Sequence, residues 1–168
     1  MITDMNKRWA LVIISLVLLV FCGNAQEKKH KLKITDLSFI GLASKKTFGI
    51  SDTVANLSFL GDGTKKLKME GADPAWNIWR YSWNGVTVDA FEGNGAINFI
   101  EISDGNFSSS RGVKIGDNRE KVVQVYGEPD VDQNDVIGYL YLTEDSVWGL
   151  DFYFDSTGIN RVVIGRDD

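Results

Sequence analysis

Residues 111–130 read RGVKIGDNREKVVQVYGEPD, and the punctuation of this stretch divides the rest of the chain. Asp117 is placed to accept a hydrogen bond from the free backbone donors of the turn after it, and Glu120, three residues on, can reach back: a capping box. Val122, Val125 and Tyr126 then share one helical face, while Arg119, Lys121 and Gln124 point away. Gly127 supplies a left-handed end and Pro129 prevents resumption. So short a helix is not stable alone in water, and its apolar side must be docked on something larger. Just upstream, residues 112–115 read as a short extended segment with Val113 and Ile115 on one side.

A degraded copy lies 65 positions earlier. Ile50-Ser51-Asp52 matches Ile115-Gly116-Asp117, Leu57 matches Val122, and residues 60–63 match 126–129 with one residue of slippage. Residues 95–102 likewise run parallel to 157–164. Around these anchors, alternation predicts strands over 37–41, 47–50, 77–83, 86–91, 96–102, 137–142, 148–154 and 159–164, with Asn84-Gly85 as a hairpin turn. The lysine-rich residues 65–68 read as a polar connection and SDGNFSSS at 103–110 as a flexible one. The simplest architecture is an α+β domain over 34–168 made of two tandem units, 34–104 and 111–168. Each unit is a short helix followed by a three-stranded antiparallel meander, and together they form a sheet with helices packed on one face.

The chain opens with Lys7 and Arg8, then an apolar run from Trp9 to Phe21 broken by Ser15. The run is shorter than the roughly 20 apolar residues that span a bilayer comfortably, and basic-then-apolar is the order of a secretory signal. Residues 1–25 read as that signal, with cleavage after Gly23-Asn24-Ala25. Leu19-Val20-Phe21-Cys22 partly resembles a lipoprotein box, which would make Cys22 a lipidated first residue; Phe21 stands where a small residue is usual. An uncleaved anchor is the third alternative. Residues 26–33 form a polar, flexible leader. Export to the periplasm or outside follows, with membrane attachment only through an anchor at Cys22.

Losing Asp4, Lys7 and Arg8 with the signal moves the net charge from −5 to −6, a poor balance for nucleic acid or anionic lipid. Residues 26–72 carry nine bases against five acids, and residues 73–168 carry seven against seventeen. Cys22 is the only cysteine, so disulfides are excluded from the domain. His30 is the only histidine and lies in the leader, which argues against a histidine triad or histidine metal site. Neither enzyme activity nor a metal or other cofactor is expected. The residual catalytic route is a carboxylate hydrolase, which needs two carboxyls about 5–10 Å apart; spacing singles out no pair, and Asp89 with Glu92 is one that could serve. Asp130, Asp132 and Asn134 begin like a calcium loop, but Asp135 and Tyr141 stand where glycine and glutamate belong. The remaining candidates are the aromatic residues Trp76, Trp79, Tyr81, Trp83, Tyr139, Tyr141 and Trp148. They are either core beneath the helices or, if the helices cover the Ile and Val face, a partly exposed binding face suited to protein hot spots or sugar rings.

A capped helix closed by Tyr126-Gly127-Glu128-Pro129, then a meander entered at Gly158-Ile159 and preceded by an equivalent copy, resembles the β-lactamase-inhibitor-protein-like fold. Small outer-membrane assembly lipoproteins and many secreted bacterial proteins share it. The resemblance spans residues 34–166 and implies a non-enzymatic protein that presents a sheet face to a protein partner. The first copy lacks the Tyr-Gly-x-Pro ending, and no residue of the inhibitory contact can be matched. Two other classes stay open: a carbohydrate-binding or carbohydrate-active secreted protein, and a lipidated structural component of the envelope.

Overall fold

The computed structural model describes residues 31–167; the expected signal, its cleavage site, Cys22 and His30 lie outside the described residues. The α+β arrangement expected above does not form. The chain is mostly β, built as one eight-stranded and one three-stranded sheet. The strands are β1 (Ser38–Gly41), β2 (Thr47–Gly49), β3 (Thr64–Met69), β4 (Ile78–Trp83), β5 (Val86–Phe91) and β6 (Ile97–Ile102). They continue with β7 (Phe107–Ser109), β8 (Val131–Asp132), β9 (Val136–Leu142), β10 (Val147–Asp155) and β11 (Gly158–Asp167). The large sheet runs β3-β4-β5-β6-β11-β10-β9-β8 and the small one β2-β1-β7.

Three physical reasons account for the difference. First, the lysine-rich residues 65–68 are not a connection but lie in β3, an edge strand whose residues are all exposed. Its pairing with β4 is made by backbone bonds and needs no apolar side chain, and lysines suit an unpaired edge. Second, the serines of 103–110 are small enough to be buried: Ser108 and Ser109 lie in β7 against β1, and Ser109 Oγ accepts the Val113 N–H at 3.1 Å. Third, the earlier of the two expected helices closes only as a 3₁₀ helix, Val54–Leu60, with no side-chain cap at Thr53 and Leu57 alone buried. The one α-helix among the described residues is α1, Arg119–Tyr126. Its cap falls one residue later than expected: Asn118 Oδ1 accepts the Lys121 N–H at 3.0 Å, while Gly127 ends the helix at φ 85°.

The turns at Asp52 and Asp117 make matching hydrogen bonds. Asp52 Oδ2 accepts the Gly49 N–H at 2.9 Å, and Asp117 Oδ2 accepts the Lys114 N–H at 2.8 Å. The carbonyl of Asp52 receives the Ile97 N–H, and that of Asp117 receives the Ile159 N–H. Each aspartate therefore closes a turn with its side chain and pins a meander strand with its backbone. The two halves of the large sheet, β3–β6 and β8–β11, meet where Ile100 and Ile102 pair with Ile164 and Val162.

The core lies between the sheets. Phe39 and Phe48 of the small sheet, Leu57, and Val122 and Tyr126 of α1 pack against Val86, Val88, Ile100, Ile164, Leu150 and Phe152, all nearly fully buried. Tyr126 docks α1, its ring 5.2 Å from Tyr139 and 5.3 Å from Phe152. Each such large apolar side chain contributes about 1.5–3 kcal/mol on burial. Leu32, in the segment read as leader, joins this core at 4% exposure.

Arg111 ties the layers together. Its guanidinium grips Asp36 through Nε at 2.9 Å and Nη2 at 2.5 Å, reaches the Val125 carbonyl at 3.4 Å, and lies 4.8 Å over the Tyr126 ring. Burial pushes the Asp36 carboxyl up, but the Arg111 pair and the Lys33 N–H outweigh it and hold the group below its ordinary 3.8. A carboxyl depressed on folding adds stability above its unfolded value, and that stability is lost as pH falls through the folded one. Asp36→Ala is expected to lower the unfolding free energy by about 2 kcal/mol at pH 7, less than a fully buried pair because Arg111 is partly hydrated. Urea titrations of both proteins check this: the gap should close below pH 3.8 and stay constant if Asp36 is merely a packing residue.

Candidate functional site

Register across the large sheet assigns every side chain to a face. One row reads Lys65–Tyr81–Val88–Ile100–Ile164–Leu150–Tyr139 and the next Trp83–Val86–Ile102–Val162–Phe152–Ile137. These are the core face. The predicted aromatic residues thus share a face with the Ile and Val residues instead of opposing them. Trp79 stands opposite Ala90, Tyr81 opposite Val88, Trp83 opposite Val86, and Tyr141 opposite Trp148. Tyr139 is 2% exposed, and Tyr81, Trp83, Tyr141 and Trp148 pack on the edges of the core.

The rings do not form one surface. Tyr81 and Trp83 stack at 6.2 Å, Trp83 donates its indole N–H to the Gly61 carbonyl at 3.0 Å, and Lys65 lies 4.2 Å over Trp79. Trp76 is separate and 64% exposed, set edge-on to Phe91 at 5.8 Å beside a depression of about 410 Å³ that also touches Gly93 and Asn94. Tyr141 and Trp148 sit at the far end of the sheet from Trp79.

The opposite, outer face carries two further rows. The first is Lys66–Arg80–Asp89–Phe99–Gly165–Gly149–Leu140, and the second Thr64–Ser82–Thr87–Glu101–Val163–Asp151–Gly138–Val131. Beyond them Arg161, Tyr153 and Val136 form a third. Phe99, Leu140, Val163, Tyr153 and Val136 are all partly exposed. At its β3 end this face is charged and closed: Asp89, 0% exposed, is held by Arg80 through two bonds of 2.7 and 2.8 Å and by Lys68. Burial pushes the Asp89 carboxyl up, and Arg80 and Lys68 more than reverse it.

Toward β8 the outer face opens. The paired Gly165 and Gly149 leave a bare floor between Phe99 and Leu140, part of a trough of about 350 Å³ walled by Val131, Val136, Val163 and Tyr153. These glycines do not serve conformation, since neither has positive φ. A Cβ at Gly149 or Gly165 would meet its nearest neighbour at an ordinary 3.4 Å. Glycine in a strand interior with room for a side chain marks a place where something approaches the sheet closely. Gly138 differs: Asp151 Oδ1 lies 2.5 Å from where its Cβ would be, so this glycine makes room for the Asp151 carboxylate at the trough floor. The only sequence signal of the trough was glycine at outward positions of β9, β10 and β11.

The arrangement offers little to acid–base chemistry. Asp89 and Glu92 are not a catalytic pair: Asp89 is locked on the outer face, while Glu92, beyond the strand end, accepts from Asn77 at 2.8 Å. The neighbouring Trp79 indole, Asn77 and Lys65 hold the Glu92 carboxyl below its ordinary 4.5, although the indole N–H itself makes no well-formed hydrogen bond. Both carboxyls are therefore ionised at neutral pH, and neither can donate a proton. Of the calcium-like residues, Asp132 pairs with Arg119, and Asp130 Oδ2 accepts the Leu140 N–H at 2.9 Å.

Trp83→Ala is expected to cost about 3 kcal/mol, because it removes a stacked, hydrogen-bonded ring that packs on the core. Trp76→Ala should change stability by less than about 0.5 kcal/mol. Thermal and urea unfolding of the two variants test the assignment, and equal losses would contradict it. No protein-family model, curated protein or solved structure matches this chain.

Proposed function

We propose that this chain is an exported, non-enzymatic binding protein that docks a protein partner on the outer face of its large sheet. The observation that carries this reading is the glycine-floored trough between Phe99 and Leu140. A fold that keeps two strand glycines on its outer face, although a Cβ at either would make only ordinary contact with Phe99 or Asp151, forgoes about 0.5–1 kcal/mol per glycine relative to alanine. Close approach of a partner's side chains is the compensating use. The surroundings suit a protein: apolar Val163, Val136 and Tyr153 lie within a charged border of Lys66, Arg80, Arg161, Glu101 and Asp151, the pattern of an apolar centre with a polar rim. Export is inferred from residues 1–25, and lipidation at Cys22 would tether the chain to a membrane.

A photo-crosslinking residue in place of Val163, in the full chain expressed in an exporting bacterial host, should give a discrete protein adduct. The same probe at Lys114, on the opposite layer, should give none. Gly149→Val should remove the Val163 adduct without lowering the thermal midpoint. An adduct that survives the filled trough, or that forms equally from Lys114, would overturn the assignment of the face.

A second reading rests on a different observation, the 64% exposure of Trp76. An exposed indole beside Phe91, Asn94 and Gly93 is a stacking shelf for a sugar ring. Tryptophan fluorescence titrated with soluble cell-wall oligosaccharides should then shift in the parent and not in Trp76→Ala; an identical response in both eliminates it.

A further inference from the structure

We infer that β3 accepts an added strand, and that the segment it takes from a protein partner is extended and acidic. The site is the edge of the large sheet, apart from the trough, and it stands whether or not the trough is occupied. The four sheet edges among the described residues are not alike. β2 and β7 are three residues long, and β8 is two. Beside β8 the chain turns through Pro129, and the Asp130 carboxylate takes the Leu140 N–H at 2.9 Å, a backbone donor beyond the end of β8. β3 runs for six residues, Thr64–Met69, without proline, and no other described segment bonds to its outer side. Alternate N–H and C=O groups along it are therefore a template for another strand.

Lysines on an edge ordinarily guard it by discouraging any further strand. Two of the three in β3 are instead turned back onto the sheet: Lys65 lies 4.2 Å over the Trp79 ring, and Lys68 is held by Asp89. Beside them Leu67 is 44% and Met69 51% exposed, apolar surface that a guarded edge does not need and that a neighbouring strand would cover. A bulge between Leu67 and Met69 accompanies the reach of Lys68 to Asp89 and leaves Thr64–Leu67 in regular register with β4.

Charge and register name the occupant. On the outer side Lys66 has no partner among the described residues, and Lys68, Arg80 and Asp89 together leave a net positive charge next to it. On the other side stand Lys65, whose charge reaches Glu92, and Leu67, opposite Trp79. Side chains directly opposite in paired strands are about 5 Å apart. A strand laid beside β3 thus fits with carboxylates on its outer side, against Lys66 and Lys68, and apolar residues on the other, against Leu67. The β3 of a second copy does not fit, since pairing the two edges would set lysines beside lysines.

The probe is an N-acetylated, C-amidated octapeptide of alternating glutamate and valine, titrated into the full chain while the backbone amides are followed by NMR. It should bind saturably below about 1 mM, with shifts centred on β3 and β4. Raising the salt from about 0.05 M to about 0.5 M should weaken it several-fold. The same peptide methylated on every amide nitrogen keeps its carboxylates, loses its backbone donors and should not bind; nor should a peptide of alternating lysine and valine. Lys66→Ala should weaken binding about threefold with an unchanged thermal midpoint. Gly149→Val, which fills the trough, should leave binding as it was. Absence of saturable binding, equal binding of the methylated or the lysine peptide, an affinity untouched by Lys66→Ala, or shifts centred on the trough and lost in Gly149→Val would each overturn the inference.

Discussion

The pairing of Ile100 and Ile102 with Ile164 and Val162 decides the rest of the structure. Without it the chain would hold two separate four-stranded sheets, each with an edge open at β6 or β11. With it, two meanders become one sheet of eight strands, and every side chain is committed to one of two faces. Because alternation has a period of two, the junction propagates: fixing Ile100 inward fixes Val88 and Tyr81 inward on one side, and Leu150 and Tyr139 on the other. The small sheet and α1 then have a single apolar face to cover.

The strands of the two meanders were legible because local rules specify them, whereas lysine-rich β3 and serine-rich β7 were not. Asn84-Gly85 and Gly158 set turns, and alternation over 86–91 and 159–164 marks half-buried strands. The likeness of the two turns was legible as well, since Asp52 and Asp117 do the same two things in them. What could not be read locally was which rows would align across strands. The rings at 79, 81 and 83 and the Val and Ala residues of β5 each show clean alternation, and only pairing reveals that they point the same way. The helical expectation failed for a related reason. Leu57 is the only fully buried anchor of its segment, and without a side-chain cap a seven-residue stretch has too little to hold an α-helical turn, so it closes as 3₁₀.

The candidate site was almost silent in the sequence because it consists of missing atoms. An aromatic cluster announces itself in any reading, whereas a trough is announced only by glycines whose surroundings are unknown. Gly127 and Gly158 need positive φ, while Gly149 and Gly165 do not; the distinction lies in backbone angles, not in residue type. The aromatic residues, by contrast, were conspicuous and serve chiefly to extend the core to the ends of a sheet wider than the layer covering it. Trp83 shows this most directly, since Gly63 is kept free of a side chain by the Trp83 indole, whose Nε1 would lie 2.6 Å from its Cβ.

Keeping one face of a wide sheet open requires that its register not slip, and the Lys68–Asp89–Arg80 cluster supplies that constraint. A shift of β5 by one residue would carry Asp89 into the core and turn Val88 and Ala90 outward. Burying an unpaired carboxylate costs several kcal/mol, far more than the packing differences between neighbouring apolar residues. In the native register the carboxylate meets two cations at a face where Arg80 and Lys68 still reach water, so the slip is penalised while the pair itself adds little net stability. The cation faces also lie over Phe99, with Lys68 at 5.3 Å and Arg80 at 5.7 Å from the ring, and support it at the border of the trough. The same three charges that hold β4 and β5 in register therefore hold Phe99, the ring paired across from Gly165, which makes the open face a property of the sheet's alignment and not of any loop.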